Sequence, residues 1–259
     1  MNGILSSEWL KLRSVRSTHY ALGVSALMVV CGGVWAYYAG TVWDGRDPAW
    51  RASFRAAAPE QGFLPFVQIA LTVVGVLVIT AEYGTGTIRS SLTAVPARIK
   101  LVLAKASVVA ATALVAAYLF LFATYALGRI IVGERTMGFT AGSFTDDLPM
   151  LLASGLSVSV LALVGLGLGA VTRSTAGGIV AVVGLLFVLP GVANFLPEPW
   201  NTRALSLLPQ SLVLQIAGEP LSTRAGDGLF SPVVALIVLV GYGVIGVAVG
   251  MLALQRRDA

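Results

Sequence analysis

Charged residues are scarce in this sequence: they make up 11% of its 259 residues, whereas soluble domains carry about 25%. Cysteine and histidine are nearly absent, with Cys31 and His19 as the single examples. One cysteine excludes a disulfide within the chain, and one histidine with one cysteine excludes a metal cluster of these residue types. A single histidine also argues against a serine–histidine–aspartate triad. We therefore expect no catalytic residue, metal site or cofactor in this chain.

Two further absences narrow the function. The sequence has no G-x-x-x-x-G-K-[ST] motif, so it has no phosphate loop for ATP. No charged residue lies near the middle of an apolar run, although ion-coupled transporters generally need such residues. Lys105, at the start of the third span, is expected to extend back to the membrane surface. The 17 basic residues stand singly between apolar runs, which argues against nucleic acid as a partner.

Apolar residues are abundant, at 57% of the chain. They form six uncharged runs long enough to cross the hydrocarbon core, which takes about 20 residues: 20–40, 63–81, 106–128, 148–172, 174–197 and 229–255. The runs are continuously apolar rather than alternating, and a helix satisfies its own backbone groups in lipid. We predict an all-α membrane protein with one transmembrane domain over 1–259. The first run exceeds the roughly 7–15 residues of a signal-peptide core, so we interpret it as a retained span.

The distribution of basic residues predicts the orientation. With a cytoplasmic N-terminus, segments 1–19, 82–105, 173 and 256–259 hold ten basic and three acidic residues, a net charge of +7. The outer segments hold seven basic and nine acidic residues, a net charge of −2. Both termini are therefore expected in the cytoplasm. The excess of arginine over lysine, 14 against 3, is typical of GC-rich bacterial genomes and points to a bacterial plasma membrane.

The N-terminal segment 4–16 has the pattern of an amphipathic helix. Leu5, Trp9 and Leu12 share one face, and Lys11 and Arg13 can reach anionic lipid. The alternative is a solvated segment whose basic residues only reflect the excess of lysine and arginine on the cytoplasmic side.

Segment 204–218 is apolar but too short to span. Leu205, Leu208, Leu212 and Ile216 follow helical spacing, although Pro209 interrupts the segment. We expect an interfacial or re-entrant helix between the fifth and sixth spans.

The loop after the second span predicts a short helix with an apolar stripe. Gly86 can end the span, Pro96 ends the short helix, and Ile88, Leu92 and Val95 fall at i, i+4 and i+7. Burying such side chains is worth roughly 1.5–3 kcal/mol each. The counterpart of this stripe is either a soluble protein or the bilayer surface.

Small residues recur inside the spans, in Gly165-x-x-x-Gly169 and Gly246-x-x-x-Gly250. They allow helices to approach closely, either within one bundle or between two copies.

The loop Glu82-Tyr83-x-x-Gly86-Thr87-Ile88-Arg89-x-x-Leu92-x-x-x-Pro96-x-Arg98, followed by Lys105, resembles that of type-2 ABC export permeases. Those proteins also begin with an elbow helix bearing E-x-x-K, as in Glu8-Trp9-Leu10-Lys11. The resemblance covers essentially the whole chain. Tyr83 departs from the family, which often has a basic residue there.

The resemblance implies a permease that pairs with a second copy of itself or a similar chain and with two ABC ATP-binding subunits, which supply ATP and Mg²⁺. Residues 86–95 would be the coupling helix. The implied ATPase interface comprises Glu82, Gly86, Thr87, Ile88, Arg89, Leu92, Val95, Pro96 and Arg98. The implied elbow helix carries Glu8, Trp9, Lys11, Leu12 and Arg13.

The resemblance places the substrate path between two copies, along the second and fifth spans. The candidate residues there are Gln68, Thr72, Phe187 and Asn194. Their lack of charge suits a hydrophobic or amphiphilic cargo such as a peptide, an antibiotic or a lipid. Two alternatives stay open: a non-transporting membrane partner of an ABC ATPase, and a secondary transporter or channel acting alone.

Overall fold

The computed structural model of the chain describes residues 2–87, 98–140, 142–221 and 229–256. Eleven α-helices are described there. They are α1 (Asn2–Ser14), α2 (Arg16–Asp44), α3 (Pro48–Ser53), α4 (Pro59–Thr85), α5 (Arg98–Val132), α6 (Phe144–Thr172), α7 (Thr175–Val183), α8 (Leu189–Asn194), α9 (Trp200–Leu207), α10 (Pro209–Ala217) and α11 (Pro232–Arg256).

Six helical segments are long and apolar enough to cross a membrane, which confirms the predicted all-α fold with six spans. The first four are α2, α4, α5 and α6, and each encloses its predicted apolar run. The fifth, Thr175–Asn194, is shorter than the predicted 174–197, and the sixth starts at Pro232 instead of residue 229.

The helix ends follow local chemistry. Helix α4 starts at Pro59, where the missing N–H of proline is tolerated because the first turn has no intrahelical acceptor. It ends at Gly86, whose φ of 73° is left-handed and favours glycine. Helix α6 follows Ser143, whose backbone N–H donates to the Asp146 carboxylate at 2.9 Å.

Helix α6 lies at the centre of the bundle. Its apolar window is 72% buried, against 22% for the fifth and sixth spans. It packs on α4 through Gly75 and Gly165, because a Cβ at either glycine would overlap a backbone oxygen of the facing helix. Gly167 meets the backbone of Gly246 on α11 in the same way. The small residues therefore serve packing within one chain.

The fifth span is interrupted, as proline in its sequence implies. A π-helical turn, Gly184–Val188, separates α7 from α8. Pro190 follows this turn and cannot donate a backbone hydrogen bond, so the wider turn accommodates the missing donor.

The segment 204–218 is not one helix. It contains α9 and α10, divided at Leu208, whose extended backbone (ψ 142°) is the conformation preferred before proline. Leu212 is fully buried in a cluster with Val160 and Leu239. The Gln215 amide donates to the Ser206 carbonyl at 2.8 Å and accepts from the Phe230 N–H at 3.0 Å. Helix α10 is thus held against α6 and α11, and α9 is joined to α10 through Gln215 and to α11 through the Tyr242 hydroxyl, which donates to the Leu207 carbonyl at 3.0 Å. The depth of the two helices in a bilayer stays a prediction.

Candidate functional site

Four charged side chains meet where α1, α4 and α5 converge; we call them the ion cluster. It consists of Glu8 and Lys11 on α1, Glu82 on α4 and Lys105 on α5. The Lys105 ammonium lies 2.7 Å from Glu8 Oε2 and 2.7 Å from Glu82 Oε1. Lys11 lies 2.8 Å from Glu8 Oε1 and 2.9 Å from Glu82 Oε1. Each lysine therefore bridges both carboxylates, and the formal charges of the cluster sum to zero.

The ion cluster is mostly removed from solvent. The side chains of Lys105 and Glu8 are 2% and 3% exposed, whereas that of Lys11 is 45% exposed. Removing charges from water is costly unless they are paired and hydrogen-bonded, and each group of the cluster has a partner of opposite charge within 2.9 Å. The pKa of Lys11 lies above its ordinary value of 10.5: its partial burial would lower it, and the bonds to Glu8 and Glu82 outweigh that effect.

Helix α1 faces the bundle with a stripe different from the predicted one. Leu5 is half-buried, and Glu8 and Leu12 are buried. Trp9, which was predicted to share the apolar face with Leu5 and Leu12, is 48% exposed. The predicted contact of Trp9 with the membrane interface stays a prediction, and the structure adds a buried carboxylate, Glu8, in the middle of the stripe that faces the bundle. The extended backbone of Val15 then separates α1 from α2.

Lys105 does not extend to the surface, and the prediction that it would is wrong. It lies seven residues into α5, and its ammonium is covered by α1. Two carboxylates within 2.7 Å replace the water it would otherwise seek. Lysine burial of this kind leaves no signal in hydropathy, because it depends on carboxylates 97 and 23 residues away in the chain.

The end of α4 carries a second contact that the sequence reasoning missed. The guanidinium of Arg173, in the turn between α6 and α7, lies 5.1 Å from the ring centre of Tyr83. This distance is typical of a cation–π interaction. Tyr83 is the residue that departs from the family pattern, and an aromatic ring there gives Arg173 a partner. Residues 82 and 83 are thus contacted from α1, from α5 and from the α6–α7 turn.

The predicted coupling segment is only partly described. Gly86 has a left-handed backbone, and the hydroxyls of Thr85 and Thr87 lie 2.8 Å apart. Ile88, Arg89, Leu92, Val95 and Pro96 lie outside the described residues, and only the backbone of Arg98 is described, as the first residue of α5. The predicted apolar stripe therefore stays a prediction.

The predicted substrate-path residues do not form one surface. Gln68 and Thr72 are 1% exposed and lie between α4 and α6, where the Gln68 amide donates to the Ser157 hydroxyl at 3.0 Å. Phe187 is 47% exposed on the fifth span. Asn194 is also exposed and donates to the Pro190 carbonyl at 2.8 Å. Only Phe187 and Asn194 are accessible to a second copy in this conformation.

Ion pairs at the opposite end of the spans are more exposed. Arg129 contacts Asp147 at 2.6 Å, and Arg135 contacts Asp44 at 2.7 Å, with side chains 28–49% exposed. Such pairs contribute little to stability. Among the described residues, no group of three histidine, cysteine or acidic side chains is placed to hold a metal ion. The ion cluster is therefore the feature that distinguishes one end of the bundle.

The chain is similar to a known protein family. A family model described as ABC-2 family transporter protein matches residues 4–191, more than half of the chain, and this stretch contains all four residues of the ion cluster. No match to a curated protein is found.

Proposed function

The chain belongs to the ABC-2 family of transporter proteins, a family of multi-pass membrane components, and from that premise we propose that it is the permease subunit of an ATP-driven exporter. Two ABC ATP-binding subunits hydrolyse ATP and carry its Mg²⁺, and a second permease copy completes the pathway. Both termini face the cytoplasm of a bacterial cell. Helix α1 is the elbow helix, 86–95 the coupling helix, and α9–α10 the interfacial element between the fifth and sixth spans.

The observation that carries this proposal is the ion cluster beside segment 86–97. Glu82 lies four residues before Gly86, and Lys105 lies seven residues after Arg98. A force applied to the segment therefore reaches α4 and α5 within two helical turns, and through Glu8 and Lys11 it reaches α1. A neutral, desolvated cluster resists separation, since pulling one charge away would leave the others unpaired.

The energetic requirement on the ATPase is specific. Docking alone shifts no equilibrium; the ATPase must bind one conformation of the permease more tightly than the other. ATP-driven closure of the two ATPase subunits meets this requirement if it moves the two 86–97 segments relative to each other. The ion cluster connects each segment rigidly to α1, α4 and α5. The movement of the segments therefore changes the relative orientation of the two permease bundles.

The cargo in this proposal is hydrophobic or amphiphilic. The surface that the fifth span offers to a second copy includes Phe187 and Asn194, and neither is charged. Gln68 and Thr72 would join the path only in a conformation that separates α4 from α6.

The test is association with a co-expressed ABC ATP-binding subunit from the same genome. We expect Ile88→Asp or Leu92→Asp to reduce co-purification at least about tenfold, because a desolvated apolar side chain is worth roughly 1.5–3 kcal/mol. Ser90→Asp is the matched control, since residue 90 falls about 160° from the stripe on a helix of 3.6 residues per turn. Equal losses in all three variants, or none, would contradict the proposal. ATP hydrolysis in vesicles without movement of any cargo would instead favour a non-transporting role.

A further inference from the structure

A cavity of about 320 Å³ opens between α1, the start of α2, α4 and α5. Its volume lies at the lower end of the range of about 300–1,000 Å³ for small-molecule sites. All four residues of the ion cluster border it. Neither the family match nor the proposed export function assigns an occupant to this cavity.

The wall of the cavity changes from charged to aliphatic along the helices. Glu82 and Val74 both line it and are eight residues apart on α4, about 12 Å along the helix axis. Leu77 and Val78 lie between them, and Val108 and Val109 face them from α5. The aliphatic part thus belongs to two membrane-spanning helices, and the charged part lies where these helices meet α1. An amphiphile would fit with its headgroup at the charged end of the cavity and its apolar chain at the aliphatic end, the same orientation as the surrounding lipids.

The charges define the headgroup. Glu82 Oε1 accepts from both lysines, whereas Glu82 Oε2 is buried and has no hydrogen-bond partner in the described part of the chain. A buried carboxylate oxygen without a donor is costly, so a headgroup with an N–H donor is favoured. The half-exposed ammonium of Lys11 offers a contact for a phosphate.

A headgroup that carries both groups is a zwitterion, and it adds no net charge to a neutral cluster. A purely anionic headgroup would bring a charge next to Glu8 and Glu82, and a quaternary ammonium has no N–H to donate. We propose that this cavity binds one phospholipid with a phosphate and a primary ammonium, such as phosphatidylethanolamine, with an acyl chain against Val74, Leu77 and Val109. The lipid lies behind α1 and closes the gap between the elbow and the spans.

The test uses the full-length permease alone, so it does not depend on the ATPase. The protein is equilibrated in bicelles with equal amounts of phosphatidylethanolamine, phosphatidylglycerol and phosphatidylcholine, and lipids retained after transfer to detergent are counted by native mass spectrometry. We expect one retained phosphatidylethanolamine per chain, preferred over the other two lipids by about tenfold, the value of one charge-assisted hydrogen bond.

Two variants address the two ends of the cavity. Leu77→Trp fills the aliphatic part and should abolish retention of that lipid, whereas Leu119→Trp, at an exposed position of α5, should not. Lys11→Gln removes the phosphate contact and should lower retention about tenfold, whereas Lys100→Gln, an exposed lysine on the same helix as Lys105, should leave it unchanged. Lys11 is half-exposed, so this variant also serves if Leu77→Trp fails to fold.

Equal retention of the three lipids, or equal losses in variants and controls, would overturn the proposal. Co-purification of the ATPase with Leu77→Trp is measured in parallel. Loss of the lipid with normal ATPase binding would show that the lipid site is independent of the proposed ATPase interface.

Discussion

Lys105→Met is the sharpest perturbation of the ion cluster. Methionine is unbranched and uncharged and lacks only a counterpart of the terminal nitrogen, so the helix and most of its packing are retained. What remains is one lysine, Lys11, facing two carboxylates, Glu8 and Glu82, with a net charge of −1 in a site where Glu8 is 3% exposed. The expected loss is therefore mainly electrostatic.

The magnitude follows from the burial. Removing one partner of a buried pair costs about 3–5 kcal/mol, because the remaining charge stays desolvated. Lys105 is 2% exposed and contacts two carboxylates at 2.7 Å, so the full range applies to it. Adding Glu8→Gln to Lys105→Met restores neutrality and leaves the Lys11–Glu82 pair. The double variant should therefore be more stable than the sum of the single losses, by about 0.5–3 kcal/mol.

Equilibrium unfolding in mixed micelles of mild detergent and SDS measures these differences. Lys100→Met is the control: it removes a lysine from an exposed position of α5, where surface substitutions usually change stability by less than about 0.5 kcal/mol. Two results would show that the four side chains do not act as a desolvated unit. One is a stability loss for Lys105→Met of less than about 0.5 kcal/mol; the other is a double variant whose loss equals the sum of the two single losses. The reasoning would then be refuted.

Two glycine pairs give further predictions. Gly75→Ala should destabilise the protein by about 1–3 kcal/mol, because its Cβ would overlap the Ala162 carbonyl oxygen, whereas Gly241→Ala, with open space around it, should not; the same unfolding assay compares them. Gly86→Ala should cost about 1–2 kcal/mol for a left-handed backbone and lower ATPase co-purification. Gly84→Ala, inside the last turn of α4 and free of contacts, should instead stabilise the helix by about 0.5–1 kcal/mol.

The six spans could be predicted from sequence because their signal is local. Each needs only about 20 consecutive apolar residues. In the structure, four of the helices are longer than the predicted apolar runs, because their ends are polar and hydropathy does not include them. Helix α4, for example, includes Glu60 and Glu82 beyond the predicted 63–81. The division of 204–218 could have been read from Pro209, which forces Leu208 out of the helical region.

The ion cluster could not be predicted because it joins three distant parts of the chain. The sequence pairs Glu8 with Lys11 in an E-x-x-K pattern and places Glu82 and Lys105 in one loop pattern, but nothing in it joins the first pair to the second. An isolated lysine one turn inside a span is expected to reach for water. Only the packing of α1 across α4 and α5 supplies the two carboxylates that make burial possible, and hydropathy carries no information on that packing.

The two contacts at the end of α4 explain why this end can act as one body. Glu82 is bound to lysines on α1 and α5, and its neighbour Tyr83 receives Arg173 from the α6–α7 turn. Successive residues of a helix point about 100° apart, so the two contacts lie on different sides of α4. A displacement of segment 86–97 that moves the end of α4 must therefore either carry α1, α5 and the α6–α7 turn with it or break buried ion pairs. Since breaking those pairs costs about 3–5 kcal/mol, moving the elements together is the lower-energy response.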